Sequence, residues 1–434
     1  MQTEHLKSEN ARLKRAVQEL SILNEIATAI SSMHSLDKIV ALIVDKCVKH
    51  LRVEQAAVML VSKEKEGDPF QTMIRQADST SEIIPYRLNT QLTGWMLKYQ
   101  KPLVIDDFES DDRLTHVDNE LFPIRSLLSV PMTLKGRMIG LITVFNKRTG
   151  ENYNADDQRL LSIIASQSAQ IIENARLSEE EQELVRMQHE MRMAMEIQTK
   201  LLPKTSPVLA GYDIAGLSIP ARVVGGDYFD FITIDKNRLA ICLGDVSGKG
   251  LPAALLMANL QATIRSQVIM DPTPGACLHR SNLLLYNSTD SQKFATLIYG
   301  VLDKYDDQFT FSNAGHNRPI YFPEKDSPHI VETAGIALSF EQETSYAESK
   351  VTFNTGDIFL IYSDGVNEAA NRDADEFGEH RILEIAQENM HRSASEIINK
   401  IIAAVDDHTA GFQQRDDMTL VVIKRLNRKS ESDG

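Results

Sequence analysis

In the second half of the sequence, carboxylates stand at four points beside apolar runs: "VVGGDYFDF" with Asp227 and Asp230, "LAICLGDVSGKG" with Asp245, "DIFLIYSDGVNEA" with Asp364, and "RDDMTLVVI" with Asp416 and Asp417. Each is read as the end of a strand or the turn after one. Carboxylates at the ends of strands that share a sheet converge. A convergent set of oxygen donors suits hard divalent cations such as Mg²⁺ or Mn²⁺. No cysteine and only His316 sits in a comparable position, so the pattern points away from zinc. Two such cations about 3.5–4 Å apart activate a bridging water and brace in-line attack on phosphorus. The expected chemistry is hydrolysis of a phosphate ester.

"GDVSGKG" also invites a nucleotide reading, because three glycines surround a lysine. A phosphate loop of Walker type needs four residues between its glycines and a hydroxyl after the lysine. Here three residues separate Gly244 from Gly248, and Gly250 stands where the hydroxyl belongs. Spacing therefore disfavours a P-loop NTPase. Lys249 is left as either a group that neutralises incoming phosphate or a solvated loop lysine.

These residues need a scaffold, and 434 residues suggest two or three domains. The 42% hydrophobic content is ample for real cores, and the net charge of −15 argues against a nucleic-acid partner. Cys47, Cys242 and Cys277 are far apart and form no C-x-x-C pair, which fits a reducing cytoplasm. The N-terminus carries no apolar core of signal-peptide type, and no apolar run approaches the length of a membrane span. The expectation is a soluble cytoplasmic protein with no membrane partner.

Residues 1–30 place Leu6, Leu13, Leu20 and Ala27 seven apart, with Ala16, Leu23 and Ile30 three residues after the last three of these. That is a short coiled coil or an amphipathic helix. Residues 31–175 read as an α+β domain. "LDKIVALIVDKCVKHL" has helical period, "QAAVMLVS" is a buried strand, and "SLLSVPMTLKGRMIGLITVFNK" is two strands around Lys135-Gly136; "NADDQRLLSIIASQSAQIIENARL" is a capped helix. Cys47 falls on a helical face that reads as core. Asp106, Asp107, Asp111 and Asp112 read as a solvated turn. Residues 176–205 continue the helix, with Leu177, Leu184, Met191 and Gln198 in one heptad row and Met187, Ala194 and Leu201 in another. One helix is expected to leave the first domain and enter the last, at 206–427, before a polar tail at 428–434.

The segment at 31–175 resembles a GAF domain, a family of small-molecule or signal sensors; no ligand is implied by its residues. The region from 206 resembles the PPM (PP2C-like) metal-dependent protein phosphatases of the bacterial SpoIIE/RsbU branch. That likeness runs through "ARVVGGDYFD", "GDVSGKGLPAALLMA", "FATLIYGVLD", "FSNAGHNRPIYF", "IYSDGVNEAAN", "FGEHRI" and "DDMTLVVIK". It implies a multidomain α+β chain, in which a GAF-like sensor and a helical linker precede an α/β/β/α sandwich with two Mn²⁺ or Mg²⁺ ions at one end.

Carried onto this sequence, the resemblance makes Asp245 the bridge between both metals and the Val246 carbonyl a ligand of the second. Asp227 would bind directly or through water, and Asp364 and Asp416 would hold the first metal, with adjacent Asp417 as the alternative. Arg222, five residues before Asp227, is either a phosphate clamp or a surface ion-pair partner. The Asp-Gly-His of the animal and plant enzymes is Asp-Val-Ser here, so no leaving-group acid is evident. Asn313 and His316 read as turn-shaping residues, and Gly225, Gly226 and Gly365 as points where the backbone bends tightly.

The resulting expectation is a signal-regulated phosphoserine phosphatase acting on a phosphorylated regulatory protein of STAS type, in a partner-switching pathway, and dimerising through its N-terminal and linker helices. The competing readings are an inactive PPM-like scaffold and a GAF-centred cyclic-nucleotide sensor.

Overall fold

The computed structural model describes residues 36–61, 70–76, 86–114, 124–290, 292–412 and 414–427, with scattered helical positions between 5 and 21. Most of the N-terminal heptad falls outside the described residues, as does the tail from 428. The chain divides into two compact units, Met1–Val185 and Arg186–Gly434.

In the first unit, α1 (Leu36–Leu51) precedes β1 (Val53–Val61), β2 (Phe70–Gln76), α2 (Tyr86–Tyr99), β3 (Leu103–Ile105), β4 (Leu127–Leu134) and β5 (Arg137–Lys147). The sheet order is β2-β1-β5-β4-β3, all antiparallel. Alternation along β1 sorts its side chains into two layers. Ala56 and Val58 pack with Ile43 and Cys47 of α1 and with Leu161 and Ile164 of the long helix that follows the sheet. Ala57 and Met59 pack with Leu92 and Met96 of α2 on the opposite face. The Lys135-Gly136 hairpin turn has both residues at positive φ, 50° and 79°, as a two-residue type I′ connection requires. Asp107 and Asp111 serve the loop they sit in, accepting from the amides of Glu109 and Arg113, while Asp106 accepts from the amide of Tyr153, just before the long helix that follows the sheet.

The long helix α3 (Ala155–Leu201) starts at a reciprocal cap, Asp157 N to Asn154 Oδ1 at 3.0 Å and Asn154 N to Asp157 Oδ2 at 2.9 Å. It is continuous for 47 residues, as expected for a shared helix, and the division at Val185–Arg186 falls within it. Leu177, Leu184 and Met187 on the heptad rows are about half exposed.

The second unit contains β6 (Tyr212–Ile219), β7 (Tyr228–Thr233), β8 (Arg238–Val246), α4 (Leu251–Met270), α5 (Pro274–Ser288), β9 (Ala295–Asp303), β10 (Gln308–Ala314), β11 (Ile320–Phe322) and β12 (His329–Ile330). It continues with β13 (Glu348–Thr352), β14 (Ile358–Tyr362), a single turn α6 (Asp364–Asn367), α7 (Glu379–Glu388), α8 (Ala394–Thr409) and β15 (Met418–Arg425). Two antiparallel sheets form, in the orders β13-β10-β9-β8-β7 and β12-β11-β14-β15-β6.

Their central strands are apolar on both faces because both faces are covered. In β8, Leu239, Ile241 and Leu243 enter the layer between the sheets, while Ala240 and Cys242 face Met257, Leu260 and Ile264 of α4. In β15, Val421 and Ile423 enter the same inner layer, whereas Leu420 and Val422 face Ile397, Ile401 and Val405 of α8. These three cores make the α/β/β/α sandwich. No helix among the described residues is long and apolar enough to cross a membrane.

Candidate active site

The strand-end expectation holds for Asp245, the penultimate residue of β8, and for Asp364, just after β14; it is corrected for Asp227 and the Asp416–Asp417 pair, which precede β7 and β15. Antiparallel pairing still brings them to one end, because the start of one strand lies beside the finish of its neighbour. Tyr228 pairs with Gly244, which sets Asp227 and Asp245 at one level of the first sheet. Tyr362 pairs with Leu420, which sets Asp364 near Asp416 and Asp417 on the second.

Hydrogen bonds join the two sheets at this end. Ser363 is fully buried; its hydroxyl donates to Asp227 Oδ2 at 2.7 Å and accepts from Thr419 N at 2.9 Å. The Asp417 carboxylate accepts from Ala221 N at 2.7 Å, Gly226 N at 2.5 Å and Asp227 N at 3.4 Å. Both Asp417 oxygens are thus committed to the loop carrying Asp227. Asp416 turns the other way: its Oδ2 accepts from Lys249 Nζ at 2.7 Å and its side chain is 42% exposed. Asp230 leaves the site altogether. Period-2 alternation sends it with Tyr228 toward the helix layer, where Arg265 holds it at 2.7 and 3.0 Å.

Gly226 sits where a side chain would be tight. A Cβ there would meet Asp245 Oδ1 at 3.0 Å and the Val246 carbonyl oxygen at 3.2 Å, so these two oxygens lie together beside the loop backbone. Burial and mutual repulsion mark the carboxylates as one electrostatic unit. Burial, then the charges of Asp364, Asp416 and Asp417, pushes Asp245 up to about 7. Burial and the Asp245 charge hold Asp227 well above the usual carboxylate range, and burial followed by Asp416 raises Asp364.

Concentrated negative charge and oxygen-only donors are what a hard divalent cation neutralises, so Asp227, Asp245, Val246, Asp364 and Asp416 suit such an ion. With their side chains as they stand, no three His, Cys, Asp or Glu residues are gathered as a metal cage among the described residues. The hydrogen bonds show what turns two of them elsewhere: Asp227 is engaged by Ser363, and Asp416 by Lys249.

A shallow cleft over these carboxylates is lined by Arg222, Gly226, Asp245, Lys249, Arg415 and Asp416. Arg222 is exposed and makes no ion pair among the described residues. A larger cavity of about 590 Å³ adjoins it, sharing Lys249, Arg415 and Asp416 and lined further by Glu368, Glu376 and Phe412.

Asn313 and His316 shape a turn, Asn313 Nδ2 donating to the His316 carbonyl at 3.0 Å and His316 N to Asn313 Oδ1 at 2.8 Å. Burial lowers His316 to about 4, so the ring is neutral at pH 7. Its Nδ1 lies 2.9 Å from Thr296 Oγ1, whose hydroxyl donates in turn to the Asp245 carbonyl at 3.4 Å.

Two residues escaped the sequence reading. Ser363 was not singled out in the sequence, although its place immediately before Asp364 was a usable signal. Gln198 was read as a heptad position; a polar residue in an apolar row hinted at another use. Its side-chain amide donates to the Gly225 carbonyl at 2.7 Å and accepts from Gly225 N at 3.1 Å.

Comparison with known proteins matches residues 235–426 to the family described as stage II sporulation protein E (SpoIIE) and residues 33–173 to the GAF domain. Phosphoserine phosphatase RsbU of Bacillus subtilis is 32% identical over 238 residues, covering 54% of this chain and 70% of RsbU. Phosphoserine phosphatase RsbP of the same organism is 19% identical over 239 residues, covering 54% of this chain and 57% of RsbP. Among solved structures, the SiaA PP2C domain of Pseudomonas aeruginosa aligns with a TM-score of 0.50 at 20% identity, covering 56% of this chain and 97% of that domain. That likeness supports the sandwich fold.

Proposed function

The chain belongs to the SpoIIE/RsbU family of PP2C-type protein serine/threonine phosphatases and carries a GAF domain, and from that premise we propose that it removes phosphate from phosphoserine on a regulatory protein of STAS type. The observation that carries this reading is the meeting of Asp227, Asp245, Asp364 and Asp416 at one end of the two sheets, where burial and neighbouring carboxylate charge raise the proton affinity of Asp227, Asp245 and Asp364.

In this reading Asp245 and the Val246 carbonyl, with Asp227, Asp364 and Asp416, would hold two divalent cations, Mn²⁺ or Mg²⁺. Such ions supply charge neutralisation and an activated water for attack on phosphorus. The chain's own residues do the positioning. Asp417 pins the 221–227 loop, Ser363 orients Asp227, and Arg222 at the rim offers a guanidinium to the substrate phosphate. The 590 Å³ cavity beside the cleft is large enough for side chains flanking the phosphoserine.

Regulation follows α3. A signal at the GAF domain moves the helix, and Gln198 transmits the movement to Gly225, two residues before Asp227. Exposed Leu177, Leu184 and Met187 on heptad rows support a homodimer in which two copies of this helix pair. RsbU, the phosphoserine phosphatase at 32% identity, supports a substrate of the same chemical kind.

The test is hydrolysis of a phosphoserine protein and of an aryl phosphate by the full-length chain with Mn²⁺ or Mg²⁺, beside Asp245→Asn. Turnover that requires the cation and disappears in the variant is expected. Equal rates in the two proteins would sink the assignment.

A further inference from the structure

Lys249 sits between two glycines that follow Asp245, both at positive φ, 100° for Gly248 and 74° for Gly250, and all three line the cleft. The lysine reaches across to the other sheet. Its Nζ donates to Asp416 Oδ2 at 2.7 Å and to the Arg415 carbonyl at 2.8 Å. The other oxygen of Asp416 accepts from Asp417 N at 3.0 Å. Each oxygen of this carboxylate therefore already has a protein donor.

A structural ion pair is a poor account of this contact. Both side chains are more than two-fifths exposed, 46% for Lys249 and 42% for Asp416, and pairs so hydrated contribute little to stability. The ammonium stands instead among like-signed groups that repel one another, at a half-exposed carboxylate that lines the open cleft.

Resting on the reading of Asp416 as a cation ligand, we infer that Lys249 is a positioning residue that competes with the divalent ion for Asp416 and thereby sets the cation concentration at which the site fills. A doubly charged ion outbids a single ammonium for the clustered carboxylates. The displaced lysine stays on the rim of the cleft that it lines, because the short loop carrying it is anchored by β8, ending at Val246, and α4, starting at Leu251. Lys249 therefore contributes one positive charge to the cleft before and after the exchange.

The experiment is calorimetric titration of full-length protein with Mn²⁺, which needs no turnover. Lys249→Ala is expected to bind Mn²⁺ roughly three- to tenfold more tightly than wild type, the effect of removing a half-exposed competing charge. Lys249→Arg keeps the charge and stays within about twofold of wild type. Lys236→Ala, an exposed lysine outside the cleft, matches wild type. Wild type that binds Mn²⁺ with no gain in Lys249→Ala overturns the role of Lys249 and leaves the proposed phosphatase site intact. Absence of Mn²⁺ binding in both overturns the metal site together with this inference.

Discussion

Gln198, one turn from the end of α3, and Gly225, two residues before Asp227, are joined by two hydrogen bonds that match a primary amide to a peptide group. The pairing is buried, so neither partner can exchange it for water at no cost. It ties the linker helix to the segment whose other amides are held by Asp417. The helix end and the candidate ligand Asp227 therefore share one short stretch of backbone.

Gln198→Ala leaves the amide and carbonyl of Gly225 buried and unpaired, a loss of about 1–3 kcal/mol. Urea unfolding of the full chain should show this decrease. Gln198→Glu should be worse, because a carboxylate accepts from Gly225 N but repels its carbonyl. The Mn²⁺ concentration for half-maximal activity should move at least about threefold, the equivalent of under 1 kcal/mol at the loop. An unchanged Mn²⁺ response with unchanged stability would remove Gln198 from the regulatory path.

The sandwich was legible through the resemblance its motifs carry, and its layers, once seen, obey simple periods. Alternation along β8 and β15 sorts residues between the inner layer and the helices, and the helical period of 36–51 and 155–176 covers one face of the GAF sheet. The aspartates were legible through the turns around them. What stayed hidden was long-range: Ser363 meets Asp227 across 136 residues, Gln198 meets Gly225 across 27, and Lys249 meets Asp416 across 167. No local pattern encodes a contact between the ends of two sheets. The choice between Asp416 and Asp417 was open for the same reason, since neighbouring side chains on an extended segment point opposite ways and only the fold shows which way is inward.

That opposition separates the two aspartates experimentally. Asp417→Ala removes the acceptor for three backbone amides, and the fold should lose about 2–4 kcal/mol, as when a buried charged acceptor is deleted. Asp416→Asn should leave stability within about 0.5 kcal/mol, as for an exposed position, while weakening Mn²⁺ binding measured by calorimetry. Equal losses of stability in both variants would contradict the division of roles.

The clustered carboxylates also set a pH dependence with a definite sign. Asp245 rises to about 7 in the fold from an ordinary value near 4, and Asp227 and Asp364 rise as well. A carboxyl raised on folding holds its proton more tightly in the native state, so its contribution favours the fold at low pH and fades as pH climbs from about 4 to about 7. In EDTA, the melting temperature of wild type should therefore fall relative to Asp245→Asn between pH 5 and pH 7.5, by roughly 2–4 °C. Saturating Mn²⁺ should remove the difference in slope. Parallel pH curves in EDTA would show that Asp245 does not titrate in this window.

Ser363→Ala isolates the orientation of Asp227 from its charge. The serine hydroxyl bridges Asp227 Oδ2, Thr419 N and the Asp417 carbonyl, at 2.7, 2.9 and 3.1 Å, and no solvent reaches it. Its removal leaves Thr419 N without this partner and lets the Asp227 carboxylate rotate. Stability should fall by about 1–3 kcal/mol, the cost of a buried donor left unmade. Activity at saturating Mn²⁺ should fall about 10- to 100-fold, the range found when a group that orients a metal ligand is lost. Ser363→Thr keeps the hydroxyl and should recover most of the rate if the buried site admits one methyl group. A Ser363→Ala enzyme with wild-type kcat and wild-type Mn²⁺ affinity would show that Asp227 needs no orienting hydroxyl.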